Sequence, residues 1–226
     1  MRQKYQTLAE EYIDRADKLI PITNEDVCNY VAAETGEPPE AVRMAVNMAM
    51  SRLEKIRTDL FRFQNGVYYR SKETVFGYFP LNPSAVIQKK YIADGEETIG
   101  YETGPSLLNK VGLTTLVPAY CFVATNRYMG RRSVKDENVK AIVTKPIAQV
   151  TKDNHLYLQT LELILSLNKK GISVQADNPY EIIYEHIKRL GLDTEMLLYY
   201  AGACGGGRLA DELIKVYHLG VCHETS

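Results

Sequence analysis

Apolar side chains at the start of the chain recur with helical spacing. Tyr5, Leu8, Ala9, Tyr12, Ile13, Ala16 and Leu19 fall at i, i+3, i+4 and i+7 positions, which predicts an amphipathic helix over 2–19, stopped by Pro21. A second helix is expected over about 25–35, burying Val27, Tyr30 and Val31, with Asn24 as its cap and Gly36 just past its end. Pro38 and Pro39 suit the first turn of a third helix, where the missing N–H has no partner to lose. Val42, Ala45, Val46, Met48, Ala49 and Leu53 supply its apolar side, and Asp59 ends it. Over 60–70, Asn65-Gly66 separates two runs of β-formers, the signal of a type I′ hairpin. A two-residue loop would pair Gln64 with Val67, Phe63 with Tyr68 and Arg62 with Tyr69.

Helix, helix, turn, helix, hairpin is the order of a winged helix-turn-helix, here filling 1–71. Pro80, Pro83 and mixed polarity make 72–100 an irregular connection with short extended pieces. Beyond it the pattern is mixed. A short helix is expected over about 104–111, ended by Gly112, then strands over 120–124 and 139–143. Helices follow over about 155–168, with Asp153 or Asn154 as cap, and over 179–190, 194–201 and 207–218. The expected fold class is α+β: a winged helix-turn-helix, then a mixed domain over 101–226 with a small sheet and several helices.

Composition narrows the function. At 226 residues, 45% hydrophobic and 24% charged, the chain can bury a real core and is not of disordered composition. Lys+Arg of 27 against Asp+Glu of 28 leaves a formal charge of -1, so nucleic-acid binding has to come from a local patch. Over 43–70 the charges sum to +4 and over 2–40 to −5, so the basic residues gather in the presumed reading half. Cys28, Cys121, Cys204 and Cys222 form no CxxC pair and read as reduced thiols of a cytoplasmic protein. The first residues hold no apolar core of a secretory signal, and no apolar run approaches the roughly 20 residues of a membrane span.

In a helix-turn-helix the second helix of the motif enters the major groove. Arg43, Asn47 and Arg52 are its long or amide-bearing candidates, because arginine can bond guanine and asparagine adenine in bidentate fashion. Lys55 and Arg57 lie near its end, and Arg62 and Arg70 in the hairpin are candidates for phosphate or the minor groove. The bland alternative is a protein-docking fold with these arginines on a solvated face. A second basic cluster, Arg127, Arg131, Arg132, Lys135, Lys140 and Lys145, suits DNA phosphate, an acidic partner or simply a lysine-blunted strand edge.

Enzymatic signatures are missing: no phosphate-binding GxxxxGK[ST], HExxH, GxSxG or GxGxxG after a strand. Gly205-Gly206-Gly207-Arg208 reads as a helix–helix connection rather than a phosphate loop. Cys204, His218, Cys222 and His223 match no standard zinc spacing, and His155 and His186 read as core or surface residues. No cofactor and no metal are expected.

Gly100-Tyr101-Glu102-Thr103-Gly104, then Leu108-Asn109-Lys110-Val111-Gly112-Leu113-Thr114-Thr115, Val117-Pro118 and Thr125-Asn126, form a distinctive series. It resembles the AbiEi-type antitoxins of bacterial abortive-infection (type IV) toxin–antitoxin systems, and Asn65-Gly66-Val67-Tyr68-Tyr69 resembles the wing of that family. The resemblance covers about 5–170. It implies a winged helix that binds operator repeats in duplex DNA upstream of its own operon, represses that operon, and carries a C-terminal domain that counters a toxin of nucleotidyltransferase type, without catalysis. Arg43, Asn47, Arg52 and Arg62 match the reading helix and wing by position. Thr103, Gly104, Gly112, Leu113, Thr114, Thr115 and Pro118 match the C-terminal motif, with expected structural roles: Gly112 ending a helix, Thr114 and Thr115 turning into a strand that Pro118 starts.

Overall fold

The computed structural model of the chain describes residues 2–169 and 171–221. It is mixed α+β with small sheets and divides into two units, Met1–Val86 and Ile87–Ser226. Among the described residues no helix is long and apolar enough to cross a membrane.

In the first unit, α1 (Arg2–Arg15) stops four residues short of the expected end. The Arg70 side chain donates to the carbonyls of Ile13, Asp14 and Ala16 at 2.9–3.4 Å. Leu19 then turns with φ 65 and gives its N–H to the Arg70 carbonyl at 2.8 Å. Orphan carbonyls at a helix end need donors, and here a strand supplies them. A short strand that periodicity does not show follows, β1 (Ile22–Thr23). The cap of α2 (Asn24–Thr35) is Thr23, not Asn24: the Thr23 hydroxyl accepts from Asp26 N–H and the Asp26 carboxylate from Thr23 N–H, a reciprocal capping box. Asn24 is engaged elsewhere, its N–H on the Gly66 carbonyl at 2.9 Å. Gly36 ends α2 with φ 74, as expected.

Next, α3 (Pro39–Ile56) buries Val42, Val46, Ala49, Met50 and Leu53. Met48, placed in the core by sequence, is 43% exposed, and Met50 takes its place. Strands β2 (Leu60–Gln64) and β3 (Val67–Arg70) form the hairpin, and the sheet order is β1-β3-β2. The register differs from expectation: Gln64 pairs with Val67, but Arg62 faces Tyr68 and Phe61 faces Tyr69, with a bulge at Phe63. Of the two turn residues only Gly66 has positive φ (74), so the turn is not type I′. Unprimed turns fit the twist of paired strands poorly, and the bulge takes up the mismatch. A core of Tyr5, Ala9, Ile13, Ile22, Val27, Val31, Val46, Leu53, Leu60 and Tyr68 joins the three helices to the sheet. A small hairpin, β4 (Glu73–Thr74) and β5 (Gly77–Tyr78), and α4 (Pro83–Ile87) follow.

The second unit begins with a π-helical turn, Gln88–Ile92, and a hairpin of β6 (Ala93–Asp94) and β7 (Glu97–Thr98). A four-stranded sheet has the order β10-β11-β9-β8, from β8 (Gly100–Glu102), β9 (Cys121–Thr125), β10 (Val134–Asp136) and β11 (Ala141–Thr144). β11 and β9 run parallel, the other pairs antiparallel. Between β8 and β9 lies α5 (Gly104–Val111), ended as expected by Gly112 at φ 90. After the sheet come α6 (His155–Leu167), α7 (Pro179–Leu190) and α8 (Thr194–Val221), the last broken at Gly206 with φ 61 and ψ −159. The break lies in the triple glycine between the two helices expected from sequence. No side chain caps α6, because Asn154 turns back to the Gln149 carbonyl and Thr151 N–H. Thr114 and Thr115 converge on the Gln175 amide oxygen at 2.8–3.1 Å, and the strand after Pro118 starts only at Cys121. Leu108, Leu113, Leu161, Ile164, Ile183, Leu197, Leu209 and Leu213 form the main core.

Candidate nucleic-acid interface

With Val42, Val46, Ala49, Met50 and Leu53 facing inward, the side of α3 turned away from the core carries Met44, Asn47, Met48, Ser51 and Lys55. Arg43 and Arg52 are both exposed but nine positions apart, about two and a half turns, so they occupy opposite flanks of the helix. Arg43 lies on the α2 side, where it pulls against the burial that raises the Cys28 thiol pKa. Arg52 lies on the α1 side, sharing a shallow pocket with Gln3, Gln6, Thr7 and Glu10. Lys55 is exposed on the face between them. None of these three cations makes an ion pair among the described residues.

Two of the expected contact residues are engaged within the unit. Arg57 meets Asp14 at 2.8 Å, Asp59 at 2.9 Å and Glu10 at 3.6 Å, and its own pKa is raised by Asp59 first and Asp14 second. Arg70 meets Asp59 at 2.9 Å while its other nitrogen holds the end of α1. Asp59, between the two guanidinium groups, is lowered to about 2. This cluster ties α1, the end of α3 and the hairpin together, and neither arginine faces solvent freely.

Asn47 and Arg62 hold an intermediate position. The Asn47 amide oxygen accepts from Asn24 at 2.7 Å, which fixes its orientation beside the hairpin turn. Arg62 donates to Ser51 and Tyr68 at 3.1 Å, lies 3.3 Å from Glu54, and stacks 5.3 Å from the Tyr68 ring centre. Sequence reasoning missed Asn24 and Ser51 as the residues that position these two side chains, since neither carries charge or periodic signal.

The second basic cluster is spread over an edge of the four-stranded sheet. Arg127 pairs with Asp94 at 2.9 Å, and Lys135, on edge strand β10, lies 5.0 Å from the Tyr120 ring centre. Lys140 takes φ 51 just before β11. Arg131, Arg132 and Lys145 are exposed, and Arg131 and Lys145 border one cleft.

Cys222 and His223 lie outside the described residues, and among those described no group of three or more His, Cys, Asp or Glu is placed to hold a metal. His186 is buried, its ring 2.9 Å from the Arg189 guanidinium, and burial and that charge lower its pKa. His155 sets a ring nitrogen 2.8 Å from the Lys152 carbonyl.

One polar centre in the second unit escaped the sequence reading. Glu162 on α6 is mostly enclosed and takes hydrogen bonds from the Tyr101 hydroxyl at 2.9 Å and from the Thr103 hydroxyl. Burial pushes its carboxyl up against those two bonds. The available signal was a lone acid between Leu161 and Leu163 in an apolar helix. No protein-family model matches the chain, and no curated protein and no solved structure does.

Proposed function

We propose that the first unit is a winged helix-turn-helix that binds duplex DNA, and that the chain is an autorepressing antitoxin. The observation that carries the DNA reading is the order α1-β1-α2-α3-β2-β3 with sheet order β1-β3-β2, which leaves one side of α3 and the turn at Asn65-Gly66 uncovered within the unit. On this reading α3 enters the major groove, Asn47 reads a base edge, and Arg43, Lys55 and Arg52 meet phosphates along both sides of the helix. Arg62 at the hairpin adds a fourth contact by exchanging Glu54 for phosphate. Arg57 and Arg70 hold the unit together and leave the contact set. The antitoxin half, with its cognate toxin and operon, rests on the sequence resemblance alone.

Titration of the whole chain onto its own upstream DNA, read by anisotropy across a salt series, tests the DNA reading. Tighter binding than to scrambled DNA is expected, and equal affinity for the two would overturn it.

A second reading has its own observation. Met44 is 76% exposed and Met48 43% exposed on the outward side of α3. Flexible apolar side chains on a helix face suit protein docking better than phosphate. In that case α3 binds a protein partner, and Met44→Lys would abolish the complex while leaving DNA affinity unchanged or raised.

A further inference from the structure

The motif segment Gly100–Gly104 borders a cleft in the second unit that DNA binding does not use. The cleft is half open and has a volume of about 620 Å³, within the range of small-molecule sites. Phe122 and neighbouring aliphatic side chains form apolar wall, and Glu162 lies inside with its two hydroxyl partners. Three cations from three separate segments border the same space: Arg131 before β10, Lys145 after β11 and Lys169 after α6. None of them makes an ion pair among the described residues. Among the described residues Glu162 is the one acid on the cleft wall, so their charges sum to an excess of positive charge. The Thr103 hydroxyl, which would ordinarily cap α5, is drawn to Glu162, and the first turn of α5 at Gly104 has no side-chain cap. A half-open cleft with an apolar wall, a cationic border and one buried acceptor, with Lys169 near enough to Glu162 for its charge to favour the carboxylate, suits a ligand that carries both a flat ring and anionic groups.

We propose that this cleft binds a nucleotide, with its base on Phe122 and within reach of the Glu162 carboxyl, and its phosphates met by Arg131, Lys145 and Lys169. The cations give affinity through charge-assisted hydrogen bonds. The carboxyl, held by Tyr101 and Thr103 with lone pairs to spare, accepts from an amino or imino group of the base. The site stands on the second unit alone and does not depend on the DNA reading.

The test is fluorescence anisotropy of methylanthraniloyl-labelled ATP and GTP with the full chain at low salt, competed by unlabelled ATP, GTP, adenosine, guanosine and inorganic phosphate. Saturable binding is expected for at least one label, displaced by its own nucleotide at about tenfold lower concentration than by its nucleoside or by phosphate. Lys145→Ala and Arg131→Ala should each weaken it about three- to tenfold. Leu165→Glu, at a partly exposed position on the cleft wall, should abolish it. Lys152→Ala, an exposed cation that does not border the cleft, should leave it unchanged. Circular dichroism of each variant separates lost binding from lost folding, and the single lysine and arginine replacements are at exposed positions. Non-saturable binding of both labels, phosphate competing as well as nucleotide, or an equal effect of Lys152→Ala would each overturn the proposal.

Discussion

Asp59 lies between two guanidinium groups, and its charge belongs to the fold. Its carboxyl is held at about 2, so the folded state keeps it ionised where the unfolded chain, with an ordinary value near 4, takes up a proton. Its contribution is therefore present above the unfolded value and lost as pH falls through about 2. Asp59→Asn is expected to lower unfolding stability by about 2 kcal/mol at neutral pH, with the difference closing in strong acid, as chemical denaturation at several pH values would show. Glu162 has the opposite sign. Burial raises its carboxyl, so the folded state binds the proton more tightly than the unfolded chain does, and stability falls as pH rises through that interval. Glu162→Gln carries no charge to bury. Its stability relative to the natural chain should improve as pH rises above the ordinary carboxylate value near 4, and a difference that stays constant with pH would refute the raised carboxyl.

At the scale of elements, the proposed DNA reading puts Arg43 and Arg52 on the flanks of α3, apart from Asn47 on its outward side. Asn47→Ala is expected to weaken binding to the chain's own upstream DNA by about 1–3 kcal/mol and to leave scrambled DNA unaffected. Lys55→Ala should weaken both alike and reduce the salt slope by about 1. Strand β8 yields a stability prediction: a Cβ at Gly100 would overlap the carbonyl oxygens of Tyr91 and Ala124. Gly100→Ala should therefore lower the melting temperature by several degrees, at roughly 1–3 kcal/mol of overpacking strain. Helices were the legible part of this chain, because amphipathic stripes such as Tyr5–Ala9–Ile13 and stops such as Gly36 and Gly112 are written locally. The two-residue strands β1 and β4 to β7 are too short to show a period. The hairpin register was lost to the Phe63 bulge, and Arg57 and Arg70 could not be told from free cations, since Asp14 and Glu10 reach them only through the fold.

For the whole molecule, a net charge of -1 gives no bulk attraction to DNA, so salt acts through the local contacts alone. On the proposed DNA reading the contacting cations are Arg43, Arg52 and Lys55, with Arg62 as a partial fourth. Each phosphate neutralised contributes about −0.9 to the slope of log K against log salt, so a slope of about −3 is expected for the intact chain. A slope steeper than about −6 would mean that the basic sheet edge around Arg132, Lys135 and Lys140 also lies against the backbone of the DNA.

The core of the first unit is drawn from Tyr5 to Tyr68, and every strand in its sheet pairs with a strand that ends by Arg70. During synthesis this unit is therefore complete before the strands of the four-stranded sheet in the second unit have been made. The parallel pairing of β11 with β9 has no such freedom, because it waits for Thr144 to emerge. A nascent chain arrested after residue 110 should thus already resist protease over its first 70 residues.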